Sequence, residues 1–170
     1  PGENVTICQG NAKDLSFFGD NTYDITLLLG PMYHLYTEAE QKQALYEAIR
    51  VTKKGGVVFA AYCGNDATMV QFCFGKGQLK EPYYQALVDM ETFKATSTPG
   101  DLFQLYRRED IDSLMANFVV QRLHYVGTDM ATNYMRETID AMDEAFFALY
   151  LKYHFSICER PDMVGTSHHI

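Results

Sequence analysis

The sequence has no tryptophan, only four cysteines, and no apolar run near the roughly 20 residues that a membrane-spanning helix needs. Its cysteines form no CxxC pair and lie in apolar or strand-like surroundings, which favours free buried thiols in a reducing compartment over a zinc site. The first residues do not show the basic and then apolar pattern of a secretory signal. We therefore expect a cytoplasmic protein outside the membrane, with free thiols at Cys8, Cys63, Cys73 and Cys158.

Basic residues are also scarce. Lys and Arg number 14 against 22 Asp and Glu, for a formal charge of −8. Nucleic-acid surfaces usually carry a basic excess, so this balance disfavours a nucleic-acid partner and favours a small-molecule one. The sequence contains no GxSxG elbow, no GxxxxGK[ST] phosphate loop and no HExxH pair. Serine hydrolase, P-loop nucleotide and zinc protease chemistry therefore find no support.

What the chain does contain is a strand–helix–strand pattern. "DITLLLG" is continuously apolar, as expected for a strand covered on both faces of a parallel sheet. Thr37 and Glu40 form a capping-box pattern, which predicts a helix with Lys53 and Lys54 in its last turn and a stop at Gly55-Gly56. "GGVVFAAY" then predicts another strand, and "NVTICQG" predicts an earlier one over Asn4–Gly10. The order predicts a βαβ unit with parallel strands.

The second half predicts further helices and strands. We expect a helix ending near Gly75–Gly77, a helix near Pro82, and a short strand before a helix that carries Ile111 and Leu114. An alternating strand over 118–127 and a helix from about Asn133 to Cys158 with a core-facing apolar stripe complete the pattern. The 170 residues thus predict a single α/β domain over 1–170, in which segments 64–100 and 127–160 form helical covers over the substrate side.

The stretch "LLLGPMYHLY" marks the most informative strand end. Ligands of open parallel sheets bind at the carboxyl ends of the strands. Gly30 allows a close approach of backbone to a ligand, and Pro31 stiffens the turn that follows. The segments to search for function are therefore "QGNAKDL", "LGPMYHL" and "AYCGND".

The segment from Asn4 to Tyr62 resembles the second half of a class I S-adenosylmethionine-dependent methyltransferase. The similar features are Gly-Asn-Ala-x-x-Leu after one strand, Tyr-Asp opening the next, a loop rich in aromatic residues and histidine, and "RVTKKGG" before a strand. The remainder is similar only in its order of elements. The resemblance implies a Rossmann-like α/β fold with helices on both faces of a mostly parallel sheet, and methyl transfer from S-adenosylmethionine.

The resemblance also implies a set of cofactor contacts. The Asn11 side chain and the Ala12 backbone N–H, next to Gly10, match the family's adenine position, since an amide can pair with a purine edge. Leu29 and Gly30 match the backbone that lies against the methionine portion. Asn11 as the cap of an ordinary turn, and Gly30 as part of an ordinary strand-to-helix turn, remain alternatives.

Tyr33 and His34 are the candidate catalytic residues that face the methyl acceptor. Methyl transfer depends on positioning, and a base is needed only if the acceptor must lose a proton. His34 has a reference pKa of about 6.5 and suits that role; the alternative is that it packs and donates to a backbone carbonyl. For His168-His169 a shared metal ion is disfavoured, because adjacent strand residues point to opposite faces, and we predict no metal site.

The sequence departs from the family in one respect. The family's glycine-rich loop and the acidic residue that holds the ribose are not found, and "PGENV" and "TSHHI" both read as cuts through a larger fold, so we expect a fold truncated at both ends. A non-catalytic recognition or interaction module that keeps the fold is therefore the alternative function. A nicotinamide-dependent oxidoreductase is a third hypothesis, disfavoured because no dinucleotide fingerprint is present. Open sheet edges would also favour a homo-oligomer.

Overall fold

A computed structural model describes residues 4–100 and 103–170 of the chain. Its main sheet pairs β1, Tyr23–Leu28, with β2, Thr52–Ala60, in parallel. Helix α1, Glu38–Val51, connects the two strands. The predicted βαβ unit and the α/β fold class are therefore confirmed. The prediction that β1 is covered on both faces is wrong, because Ile25 and Leu27 are 59% and 61% exposed.

Helix α1 begins as the sequence predicts and ends earlier. The Thr37 side chain accepts a hydrogen bond from the Glu40 backbone N–H at 3.3 Å, which confirms the cap. The helix ends at Val51, so the prediction that Lys53 and Lys54 form its last turn is wrong. Those lysines belong to β2, as does Gly56, whose backbone lies so close to β1 that a Cβ there would sit 2.6 Å from the Asp24 carbonyl oxygen. The Gly-Gly pair is thus a site of close strand packing rather than a helix stop.

A second, two-residue parallel pair follows. Strand β3, Cys63–Gly64, pairs with β4, Leu105–Tyr106, and the predicted short strand before the helix at Ile111 is confirmed. The helices and turns of this half are, in chain order, α2 at Asn65–Thr68 continuing as a π-helix over Met69–Gly75, a 3-10 turn at Gln78–Lys80, α3 at Pro82–Ala86, α4 at Arg108–Met115, a 3-10 turn at Met130–Tyr134, α5 at Arg136–Asp140, α6 at Glu144–Ile157 and α7 at Pro161–Val164.

Two predicted strands are absent from the described residues. Segments 4–10 and 118–127 run without ladder pairing, and most of their side chains are exposed. An alternating or β-branched pattern becomes a strand only when a neighbouring strand satisfies its backbone groups. Neither segment has such a neighbour in the described part of the chain.

The predicted helix from Asn133 to Cys158 is divided. Asp143 interrupts it and caps α6 by accepting from the Phe146 N–H at 2.8 Å. The expected core-facing stripe is wrong along most of α6, because Phe146, Leu149 and Tyr153 are 55%, 59% and 55% exposed, although Ile157 is buried. Apolar residues lie on every side of this helix, so their spacing selects no single buried face.

One core cluster lies at the carboxyl ends of β1 and β2. Met32, fully buried, packs there with Leu28, Leu45 and Tyr62. Ala12 packs against the same cluster from the turn that follows Gly10. Three chain segments therefore meet at the edge of the sheet where parallel folds bind ligands. None of the helices described over 4–100 and 103–170 is long and apolar enough to cross a membrane.

Candidate functional site

The turn after Gly10 is built around Asn11. The Asn11 Oδ1 accepts a hydrogen bond from the Lys13 N–H at 3.0 Å, and the Asn11 carbonyl accepts from the Asp14 N–H at 2.9 Å. The side chain thus caps the turn, as the alternative interpretation held. Its Nδ2 donor and the Ala12 N–H have no hydrogen-bond partner among the described residues, and the Asn11 residue is exposed. The cap therefore leaves two donors at the surface of the turn.

An ion pair on α1 anchors this turn segment. Glu47, almost fully buried, accepts from the Leu15 N–H at 2.6 Å and from both Nε and Nη2 of Arg50 at 2.8 Å. Arg50 also donates to the carbonyls of Leu15 and Phe18 at 2.9 and 3.0 Å and pairs with Asp20 at 2.6 Å. The Arg50 hydrogen bond holds the pKa of Glu47 below its usual range. The pair thus orients the segment that begins at Asn11.

A second contact with α1 lies beside the first. Lys13 Nζ pairs with Glu40 Oε1 at 2.6 Å, and Gln43 donates to the Lys13 carbonyl at 3.2 Å. The lysine hydrogen bond is the main reason that the pKa of Glu40 is lowered. Both contacts fix the Asn11 turn relative to the β1–α1–β2 unit.

A cleft of about 580 Å³ opens on this turn. The predicted residues Gly10, Asn11 and Ala12 all line it. Phe17 and Phe18 also line it, with ring centroids 4.3 Å apart, and Phe17 is 54% exposed. Aromatic faces are good stacking partners for a planar heterocycle. The "SFF" doublet after the turn was the available sequence feature for these two rings, which sequence reasoning missed.

The turn after β1 needs its glycine. Gly30 has φ = +133°, a region that side-chain-bearing residues rarely adopt. Pro31 opens the 3-10 turn Pro31–His34, and Leu29 is 60% exposed. Neither Leu29 nor Gly30 lines the cleft at Asn11. The structure thus places the predicted cofactor residues in two groups, and Ala12 of the first group packs against the core cluster that contains Leu28 and Met32.

Tyr33 and His34 lie in an aromatic cluster with Phe103. The centroid of the Phe103 ring lies 5.2 Å from that of Tyr33 and 5.0 Å from that of His34, with edge-to-face geometry in both pairs. His34 is exposed, and its ring makes no hydrogen bond to another described residue. Sequence reasoning missed Phe103, because 69 residues of chain separate it from His34.

Two hydrogen bonds fix the backbone of this turn. The buried Tyr106 hydroxyl donates to the Met32 carbonyl at 2.7 Å, and the Gln104 N–H donates to the Tyr33 carbonyl at 3.0 Å. Burial raises the pKa of Tyr106, so its hydroxyl stays protonated and able to donate. Strand β4 and its flanks therefore position the Tyr33–His34 pair.

Asp24, Tyr62 and His124, which the sequence also offered, lie in ordinary structural contacts away from the cleft at Asn11. Asp24 pairs with Lys53 at 2.8 Å, and Tyr62 is buried in the core cluster. His124 is exposed beside Glu159 at 3.1 Å. Three cysteines are buried and free, but Cys8 is exposed, so the prediction of burial is wrong for that thiol.

A polar cluster that sequence reasoning missed joins Asp129 to the terminal segment. Asp129 Oδ2 lies 2.9 Å from His169 Nδ1, and Asp129 Oδ1 accepts from the Ser167 hydroxyl at 2.5 Å and from the His168 N–H at 2.7 Å. Burial raises the pKa of Asp129, but hydrogen bonds from Ser167, His169 and the backbone outweigh it, so the pKa lies below its usual value. Asp129 is therefore an ionised, half-buried acceptor at neutral pH. Forty residues separate it from His169, so no local pattern relates the two.

His168 and His169 face different surroundings. The His168 ring packs edge-to-face on Phe72 at 5.2 Å, and its buried Nε2 has no hydrogen-bond partner within residues 4–100 and 103–170. Burial lowers the pKa of His168. The described residues contain no group of three or more His, Cys, Asp or Glu side chains placed to hold a metal ion.

A second cavity, of about 320 Å³, lies near the end of β3. Its lining includes Asn65, Tyr106, Arg107 and Ile170. Arg107 pairs with Asp66 at 3.0 Å. The Arg107 guanidinium is thus already paired with Asp66, which also lines this cavity.

Residues 1–60 match a family model described as a methyltransferase domain. This match supports the predicted resemblance to a methyltransferase over that part of the chain. A solved structure of a SAM-dependent methyltransferase from Methanosarcina mazei is similar at 18% identity and a TM-score of 0.44, covering 64% of this chain and 50% of that one. The chain thus spans about half the length of that protein. The comparison with curated proteins finds no match.

Proposed function

We propose that this chain carries the adenine side and the acceptor side of a site for methyl transfer from S-adenosylmethionine to a small molecule. The observation that carries the proposal is the coincidence of the methyltransferase-domain match with a cleft lined by Gly10, Asn11 and Ala12, of which Ala12 packs against the cluster at the carboxyl edge of the sheet. In parallel α/β folds this edge is where ligands bind.

The cleft suits an adenine ring. Its floor offers the Asn11 Nδ2 donor and the Ala12 N–H, neither of which has a partner among the described residues. Phe17 adds an exposed aromatic face on which a purine can stack. Stacking and two donors would orient the ring without any charged side chain, which agrees with an uncharged base.

The remaining ligand would extend toward the end of β1. Gly30 lets the backbone approach the methionine portion without a Cβ, and the exposed Leu29 offers apolar contact. S-adenosylmethionine would supply a sulfonium methyl group when bound, and Leu29 and Gly30 would hold its methionine portion. The chain's own contribution is to hold the acceptor in line with that methyl group, for which Tyr33 and His34 are the proposed contacts.

The aromatic cluster favours a small, partly apolar acceptor. Tyr33, His34 and Phe103 present ring edges and faces, and the net charge of −8 disfavours a polyanion. The proposed covers are segments 64–100 and 127–160. The exposed apolar side chains of α6 support this role, because a cover over a substrate needs apolar surface that the core does not use.

Calorimetric titration of S-adenosylhomocysteine tests the proposal. The product is titrated into this chain and into a version extended at its amino terminus by its natural sequence. We expect binding, tighter in the extended version, with Asn11→Ala weakening it about tenfold, the equivalent of about one hydrogen bond. Asn117→Ala, at the end of α4, is the matched control and should leave the affinity unchanged.

Binding by neither version would refute the methyltransferase proposal. Unchanged affinity in Asn11→Ala would refute the adenine contact alone. Binding by the extended version without methyl transfer to any acceptor would favour the alternative, a recognition module that keeps the fold.

A further inference from the structure

Residues 168–170 lie beside the carboxyl end of β2. Ile170 exchanges two backbone hydrogen bonds with Tyr62, at 2.9 and 3.0 Å, directly beyond the end of β2. His169 forms an antiparallel bridge with Cys63, and the Gly64 N–H donates to the His168 carbonyl at 2.7 Å. His169 therefore sits next to the carboxyl end of β2, as His34 does next to that of β1.

The surroundings of His169 are closely packed. A Cβ on Gly64 would lie 2.2 Å from the Ser167 carbonyl oxygen, and a Cβ on Gly127 would lie 3.0 Å from the Ser167 Cβ. Ser167 is fully buried, and its hydroxyl accepts from the N–H groups of Asp129 and Met130 at 3.1 Å. Two glycines and a buried serine thus fix Asp129 relative to the terminal segment.

This packing leaves the Nε2 side of the His169 ring open to solvent. Asp129 receives hydrogen bonds from the Ser167 hydroxyl, the Asn133 amide at 2.7 Å and the His168 N–H, and is therefore held in place. An ionised carboxylate can only accept, so the 2.9 Å contact places the proton of neutral His169 on Nδ1. The lone pair then lies on Nε2, which has no partner among the described residues, on a side chain that is 58% exposed. A carboxylate-oriented imidazole with a free Nε2 is the arrangement of a general base.

Resting on the proposed function, we propose that His169, positioned by Asp129, is the base that accepts the proton of the methyl acceptor. The acceptor oxygen of a phenol-type hydroxyl forms a bond to the methyl carbon, the carbon–sulfur bond breaks, and its electron pair stays on sulfur. The hydroxyl proton moves to His169 Nε2, and the resulting imidazolium is balanced by the Asp129 carboxylate. His34 lacks a carboxylate partner in the described residues, so it orients the acceptor while His169 takes the proton.

The titratable groups near the Asp129–His169 pair are consistent with His169 as the base. The imidazole of His168 has a lowered pKa because it is buried, so it adds no positive charge at neutral pH. Burial, with a smaller contribution from Asp129, raises the pKa of the Cys63 thiol to about 11, so that thiol is also neutral. The Asp129 carboxylate is the charged group in direct contact with His169, and Lys76 lies on the side of His168.

The first test is spectroscopic and needs no substrate. Ring-nitrogen NMR of the histidine-labelled chain should show His169 with its proton on Nδ1, and Asp129→Asn should remove that preference. Asp112→Asn, which removes a surface carboxylate paired with Arg108 and Arg122, is the control and should change nothing at His169. A proton on Nε2 in the wild-type chain, or no response to Asp129→Asn, would overturn the proposal.

The second test measures methyl transfer in the version that binds S-adenosylhomocysteine, with phenol and 4-nitrophenol as acceptors. At about pH 8 phenol is protonated and needs a base, whereas 4-nitrophenol is largely ionised and does not. His169→Gln should slow transfer to phenol by at least about 100-fold and leave transfer to 4-nitrophenol nearly unchanged. Equal slowing of both, or no transfer to phenol by the wild type, would overturn the base assignment. Absence of S-adenosylhomocysteine binding would instead refute the proposed function.

Discussion

The Tyr106 hydroxyl offers a direct measure of how the Pro31–His34 turn is held. It donates to the Met32 carbonyl at 2.7 Å, and both residues are buried. Tyr106→Phe keeps the ring and removes the donor, so the Met32 carbonyl loses its partner away from water. We expect the free energy of unfolding to fall by about 1–3 kcal/mol, the cost of an unsatisfied buried group.

Tyr62 provides the matched control. Its ring packs on Tyr106 at 5.0 Å in the same cluster, but its hydroxyl reaches only the Met115 sulfur at 3.8 Å, a weak acceptor. Tyr62→Phe should therefore change the unfolding free energy by less than about 0.5 kcal/mol.

Urea unfolding followed by circular dichroism measures both variants. A loss of about 2 kcal/mol also predicts a melting temperature lower by about 4–8 °C for a chain of this size. Equal destabilisation by Tyr106→Phe and Tyr62→Phe would refute the reasoning, because the effect would then come from the rings and not from the Met32 hydrogen bond.

Two glycine substitutions and one pH dependence test other features of the structure. Gly64→Ala should destabilise the chain by about 1–3 kcal/mol or more in urea unfolding, because its Cβ would meet backbone 2.2 Å away, whereas Gly165→Ala, with nothing within 4 Å, should be neutral within about 0.5 kcal/mol. Gly30→Ala should cost about 1–3 kcal/mol by the same assay, because φ = +133° strains any side-chain-bearing residue; an effect no larger than that of Gly165→Ala would contradict this. The pKa of Cys63 is raised from its ordinary value near 9 to about 11, so stability should fall as pH rises from about 9 through 11. The fall should be shallower in Cys63→Ala, where only Cys73 and the buried tyrosines still contribute, and equal falls in the two chains would contradict this.

Local patterns were sufficient for the β1–α1–β2 unit. The apolar run before Gly30 gave β1, and the Thr37–Glu40 pattern gave the start of α1, because a strand and a cap are decided by a few neighbouring residues. The burial of β1 was not predictable in this way, because cover on its faces must come from other segments. The end of α1 was not predictable in this way. Gly56 serves the close approach to Asp24 on a strand that is distant in sequence, and no local rule indicates that contact.

Long-range pairing explains the other differences. Segments 4–10 and 118–127 have strand-like composition, yet a strand also requires a partner that composition cannot supply. In the candidate site, Asn11 and Gly30 were proposed from the family resemblance and from their place in a turn, and their cofactor contacts stay predictions. Phe103 and the Asp129–His169 pair were missed, because their roles arise only when separate segments meet in space.

Photo-crosslinking tests the central claim most directly, because it locates the adenine of the methyl donor on the chain. S-adenosylmethionine with an azide at adenine C8 is irradiated with the version that binds S-adenosylhomocysteine, and the labelled peptide is identified by mass spectrometry. The account predicts labelling within residues 4–23, which include the Asn11 turn and Phe17, with loss of the label when unmodified S-adenosylhomocysteine competes. Competable labelling confined to other segments, with none in 4–23, would contradict the placement of the adenine and with it the proposed site.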